Sequence, residues 1–123
     1  MRYFSAIEST GVHVRLGHFK STTMRCPLCR GSFARWEEKE TDVAIGAKLI
    51  ELVCRRACDT TVLVSGDTDL VPAIHSARGL DSATRFGVVL PYRRGNAALK
   101  SVADFAFSAR VASYARHQLA ISA

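Results

Sequence analysis

Two short runs limit what this chain can fold into: "TTVLVS", which predicts a strand over 61–65, and "RFGVVL", which predicts one over 86–90. Both are nearly continuous in apolar and β-branched residues, the pattern of strands covered on both faces. Strands of that kind pair in parallel and need crossover connections between them. The intervening sequence supplies these. "DLVPAIHSARGL" predicts a helix that admits Pro72 in its first turn and stops near Gly79. "NAALKSVA" predicts a short helix, "DFAFSA" a final strand and "VASYARHQLA" a tail helix. Upstream, a helical pattern runs from Thr41 to Ala57, with Val43, Ala47, Ile50 and Cys54 on one face. Thr41 is placed to cap it and Asp42 to complement its dipole from the first turn. Strand, helix, strand, helix, strand is the order of an α/β fold with a mainly parallel sheet and right-handed crossovers.

The N-terminal third is less regular. "RYFSAIES" reads as the end of an amphipathic helix, and "GVHVRLGHF" alternates like a strand. Residues 20–36 read as an irregular insert broken by Pro27 and Gly31, with Trp36 anchoring it to the core. At 123 residues the length suits one domain, 1–123. No apolar run approaches the roughly 18 residues of a transmembrane helix, and "MRYFSAIEST" lacks the apolar centre of a signal peptide. The expectation is a cytoplasmic protein without membrane contact, its four cysteines reduced.

The net charge of +6 is unevenly spread. Residues 1–40 hold seven Lys/Arg against four acids and residues 85–123 six against one, whereas 41–84 hold six acids against four bases. An acidic centre between basic flanks suits cations held centrally and a polyanion around them. In an open α/β sheet ligands sit beyond the carboxyl ends of the strands. Asp67 and Asp69 follow the strand 61–65 directly, and the same topology carries Asp42 toward that edge. Taken singly, each acid is ordinary capping chemistry. Together they form the oxygen-donor set that Mg²⁺ or Mn²⁺ takes.

Three segments carry a resemblance: "EEKETDVAIGAKLIEL", "CDTTVLVSGDTDLVPAI" and "VVLPYRRGNAALKSVADFAF". The chain resembles the NYN domain family of PIN-like nucleases over roughly residues 3–108, with a Lys-x-x-Asp-Val helix start and a Ser-Gly-Asp-x-Asp turn after a hydrophobic strand. The resemblance implies a PIN-like three-layer α/β/α fold and metal-dependent ribonuclease chemistry. It implies that Asp42, Asp67 and Asp69 are the acidic catalytic and metal-site residues, presented by the turn at Ser65 and Gly66. The family pattern also has a strand ending in an aspartate upstream, with no counterpart in "MRYFSAIESTGVHV". The expectation is therefore a domain lacking its N-terminal central strand and first acid. Such a chain would self-associate through the open sheet edge, and a non-catalytic RNA-binding or regulatory role is the alternative.

The remaining signals are weaker. "GDTDLV" also fits the Asp-x-Asp-x-Val motif of haloacid-dehalogenase-type phosphatases, but the 54 residues after Asp69 lack the paired acids that chemistry needs. "PYRRGN" follows the strand 86–90, so Tyr92, Arg93 and Arg94 emerge at the ligand edge beside Ser65 and Thr68. Arginine there can grip phosphate and Tyr92 can stack on a base of RNA. Cys26 and Cys29 of "CPLC" form half of a Zn²⁺ site. Cys54 and Cys58 could complete it, as could His18, although Cys54 falls on the apolar helix face; a plain structural knuckle is the simplest reading. The four histidines form no general-base motif.

Overall fold

The computed structural model describes residues 2–118, and the end of the expected tail helix, 119–120, lies outside them. The chain divides after Val43 into two compact units. The first holds helix α1 (Arg2–Glu8) and strands β1 (His18–Arg25) and β2 (Ser32–Lys39). These strands pair antiparallel in an eight-residue register from His18 opposite Lys39 to Arg25 opposite Ser32. Two expectations are corrected here. Residues 12–17 are not a strand, and the irregular insert is a hairpin whose loop holds Pro27 and Gly31. The hairpin escaped notice because nearly every residue on both strands is exposed, so no apolar alternation marks it. Trp36 is 66% exposed and anchors nothing.

The second unit is the α/β body. Helix α2 (Thr41–Cys54), whose residues 41–43 belong to the first unit, leads into β3 (Thr60–Val64), a 3-10 turn (Thr68–Leu70) and α3 (Val71–Leu80). Strand β4 (Arg85–Leu90), helix α4 (Ala97–Val102), strand β5 (Phe105–Ser108) and helix α5 (Val111–Arg116) follow. The sheet runs β3-β4-β5, both pairings parallel, so β4 is central. This is the mixed α/β architecture expected of a PIN-like fold. No helix among the described residues is long and apolar enough to cross a membrane.

The core is built on β4. Phe86, Val88 and Leu90 are buried with Leu49 and Val53 of α2, Ile74 and Ala77 of α3, and Leu99 of α4. The buried stripe of α2 is Gly46, Leu49 and Val53, not the one expected. Val43 and Cys54 are exposed. A side chain at Gly46 would meet the Ala73 Cβ at 3.2 Å, so glycine lets α2 approach α3. α2 ends without glycine: Arg56 takes the left-handed conformation (φ 49°) while Ala57 N–H donates to the Leu52 carbonyl, a Schellman closure. Strand β3 also departs from expectation. Its burial alternates, with Val62 48% and Val64 67% exposed, so it is covered on one face and has one sheet neighbour among the described residues.

Candidate functional site

The chain leaves β3 through a turn tied by its own side chains. Ser65 Oγ accepts from the Asp67 N–H at 3.1 Å, and Asp67 Oδ1 accepts from the Asp69 N–H at 3.0 Å. Asp67 thereby caps the 3-10 turn, the ordinary role for an aspartate at this position. That bond uses one carboxylate oxygen. Both aspartates are exposed.

A second turn leaves β4. Arg94 N–H donates to the Pro91 carbonyl at 2.9 Å, and Arg93 in the third position is left-handed (φ 59°). The Tyr92 N–H donates to the Tyr114 hydroxyl at 3.2 Å, which fastens this turn to α5. The two arginines then part company. Arg93 lies over the Tyr92 ring, 5.1 Å from its centroid. Arg94 packs against Gly66, where an added Cβ would fall 2.9 Å from the Arg94 Cβ. Glycine is required there because the two turns touch.

Asn96 locks the turns together. Its Nδ2 donates to the Gly66 carbonyl at 3.0 Å while its Oδ1 accepts from the Leu99 N–H at 3.1 Å, capping α4. The result is an open cavity of about 560 Å³ lined by Ser65, Gly66, Asp67, Thr68, Pro91 and Arg94. Four of the expected site residues, Ser65, Asp67, Thr68 and Arg94, thus share one cavity at the carboxyl edge of the sheet. Asp69, Tyr92 and Arg93 stand on the same two turns but do not line it. Asp42 lies in the first turn of α2, within the other unit. Among the described residues no group of three or more His, Cys, Asp and Glu is placed to hold a metal ion.

Sequence reasoning missed Asn96 as a site residue. The signal was present, since asparagine directly before an apolar helical run is a cap. It also missed Asp104, whose carboxylate accepts from the Phe86 N–H at 2.7 Å and pairs with Arg78 at 3.2 Å. The Phe86 N–H and the Arg78 guanidinium hold its pKa below the ordinary carboxylate range. This pin joins α3 to the starts of β4 and β5, and no local pattern announces it.

Cys26 and Cys29 sit in the hairpin loop, free and at least partly exposed. The loop closes through Cys26 N–H to the Gly31 carbonyl (2.8 Å) and Arg30 N–H to the Cys26 carbonyl (2.9 Å), with Arg30 left-handed. The backbone N–H groups of Cys29 and Leu28, then the Cys29 thiol, hold the Cys26 pKa below the ordinary thiol value. Cys54 and Cys58 are free and exposed. Of the histidines, His18 pairs with Glu40 at 3.1 Å, and all four are exposed.

A family model of the NYN domain matches residues 2–110. The chain is also similar to the crystal structure of a protein of unknown function from Vibrio parahaemolyticus, with a TM-score of 0.64 at 20% identity. That likeness covers 89% of this chain and 60% of the other, and it bears on the fold alone. No curated protein matches.

Proposed function

The chain belongs to the NYN domain family, and on that premise we propose that it is a divalent-metal-dependent ribonuclease working at the carboxyl edge of β3 and β4. The observation that supports this most is the shared cavity, in which Asp67 and Arg94 are brought to one opening by turns from adjacent strands. A phosphodiester with a neutralising cation needs that combination of charges.

The donor set suits Mg²⁺ or Mn²⁺. Asp67 and Asp69 offer hard carboxylate oxygens, and Asp67 has spent one on its cap. Mg²⁺ is commonly held by one or two carboxylates together with substrate phosphates and water, not by a complete protein cage. When bound, such an ion supplies an acidified water and charge for the phosphoryl oxygens. The rest of the work falls to the chain. Arg94 grips the phosphate and Tyr92 offers a face to a base. Ser65 and Asn96 hold the acidic turn in place.

The test is Asp67→Asn, which keeps an oxygen to cap the Asp69 N–H but removes the charge. Cleavage of a labelled single-stranded RNA with Mn²⁺ should fall by at least a hundredfold with the circular dichroism unchanged. Full activity in the variant would remove the acidic turn from the chemistry. A second reading is a non-catalytic RNA-binding domain, for which Arg94 at the cavity and the half-exposed Tyr92 beside it suffice without an ion. Tight RNA binding without cleavage, indifferent to Mn²⁺ and to Asp67→Asn, would identify it.

A further inference from the structure

The hairpin tip carries two thiols that the reaction at the sheet edge does not use. Cys26 and Cys29 flank Pro27 and Leu28 in a six-residue loop closed by two backbone hydrogen bonds. A Cβ on Gly31 would lie 3.3 Å from the Cys29 sulfur, so glycine leaves room for that sulfur to fold back over the hairpin end. Both thiols are therefore carried on one turn closed by backbone hydrogen bonds.

Two thiolates are half of a structural zinc site, which is closed by four ligands in a tetrahedron. Among the described residues no group of three or more His, Cys, Asp and Glu includes the pair. We propose that Cys26 and Cys29 bind zinc jointly with the same two residues of a second copy of this chain, giving a Zn(Cys)₄ clasp between two hairpin tips.

Three features favour a second copy as the partner. A closed dimer presents the same patch twice, so the Cys-x-x-Cys turns of the two copies together supply all four sulfurs. Four thiolates around Zn²⁺ leave a net charge of −2, and Arg25 and Arg30 bracket the turn on each copy to offset it. Leu28, at the tip between the thiols, is 94% exposed, an apolar side chain that a facing tip would cover. On binding, each thiol releases its proton to solvent, so the clasp weakens as pH falls.

The experiment uses the reduced full chain, stripped of metal and titrated with Zn²⁺, with mass followed by light scattering and bound zinc by chromogenic release. One zinc per two chains and a dimer that a chelator returns to monomer are expected. Cys29→Ser should abolish both while the circular dichroism is kept. The double variant Cys54→Ser/Cys58→Ser should keep both, and Co²⁺ should give the intense visible bands of a tetrathiolate site. One zinc per monomer, loss of zinc in the Cys54/Cys58 variant, failure of the reduced protein to retain zinc, or a dimer indifferent to the chelator would each overturn the clasp. None of these readouts depends on RNA cleavage.

Discussion

At the scale of single residues, the site depends on side chains that serve the backbone first. Asp67 caps a turn, Ser65 supports it, and Asn96 bridges it to α4. Asn96 does two separable jobs, and two variants should part them. Asn96→Ala loses the α4 cap and the Gly66 bridge and should cost about 1–2 kcal/mol of stability in urea unfolding. Asn96→Ser keeps a capping oxygen but is too short to reach Gly66. It should recover most of that stability while hydrogen exchange at the Asp67 amide stays faster than in the wild type. Wild-type exchange in Asn96→Ser would mean the bridge does not hold the acidic turn. Asp104 makes a pH prediction. Its folded pKa lies below its unfolded value, so the stability it contributes is complete above the ordinary aspartate pKa of about 3.9 and is lost as pH falls through the folded value. Asp104→Asn should therefore unfold at lower urea than the wild type at pH 7, and the gap should close toward pH 3. A gap constant across that range would show that neither the Phe86 N–H nor the Arg78 guanidinium favours the charged carboxylate.

At the scale of elements, the two turns at the carboxyl edge divide the arginines by geometry. Arg94 lines the cavity, whereas Arg93 is stacked on Tyr92. If Arg94 contacts a phosphate, Arg94→Ala should reduce the slope of log affinity against log salt by roughly 0.7 for single-stranded RNA. Arg93→Ala should change it less. Equal slopes for both variants and the wild type, by fluorescence anisotropy over a KCl series, would make both arginines solvated surface. The elements also show what local sequence can carry. The strands and helices from residue 60 onward were legible because β4 is buried along most of its length and Pro72 and Gly79 punctuate α3. The buried face of α2 was misread. Apolar residues nearly surround that helix, and the decisive position is Gly46, whose value is a missing side chain and not a hydrophobic one. The hairpin was illegible because its ladder satisfies the backbone while its side chains face water, leaving no periodicity to read. The turn "SGDTD" could be placed at the sheet edge from topology. Its closure by Arg94 and Asn96, some thirty residues away, could not.

At the scale of the whole molecule, stability is concentrated unevenly. The buried apolar side chains among the described residues all belong to the unit after Val43. The hairpin is held by its ladder and by surface pairs such as Lys39 with Glu37 at 2.9 Å, which solvent screening keeps weak. Within the larger unit, β4 is paired on both sides and β3 on one. Among the described residues the other edge of β3 has no strand paired to it and is unblunted. It carries no charged side chain along Thr60–Val64, no proline and no bulge, the devices that ordinarily prevent edge-to-edge pairing, and it exposes two valines. A strand with open backbone donors and an apolar exposed face should draw two copies together, in a way unrelated to the hairpin thiols. Val62→Lys tests this with least harm, because Val62 is 48% exposed, whereas Val64 borders the cavity. With chelator and reductant present, so that no zinc bridges the hairpin tips, the wild type should gain mass with concentration in light scattering. Val62→Lys should stay monomeric over the same range and keep its RNA affinity, since the cavity and its turns are untouched. An identical concentration dependence for the two proteins would mean that the edge is protected by something other than charge, and the pairing surface would have to be sought on the exposed face of the hairpin instead.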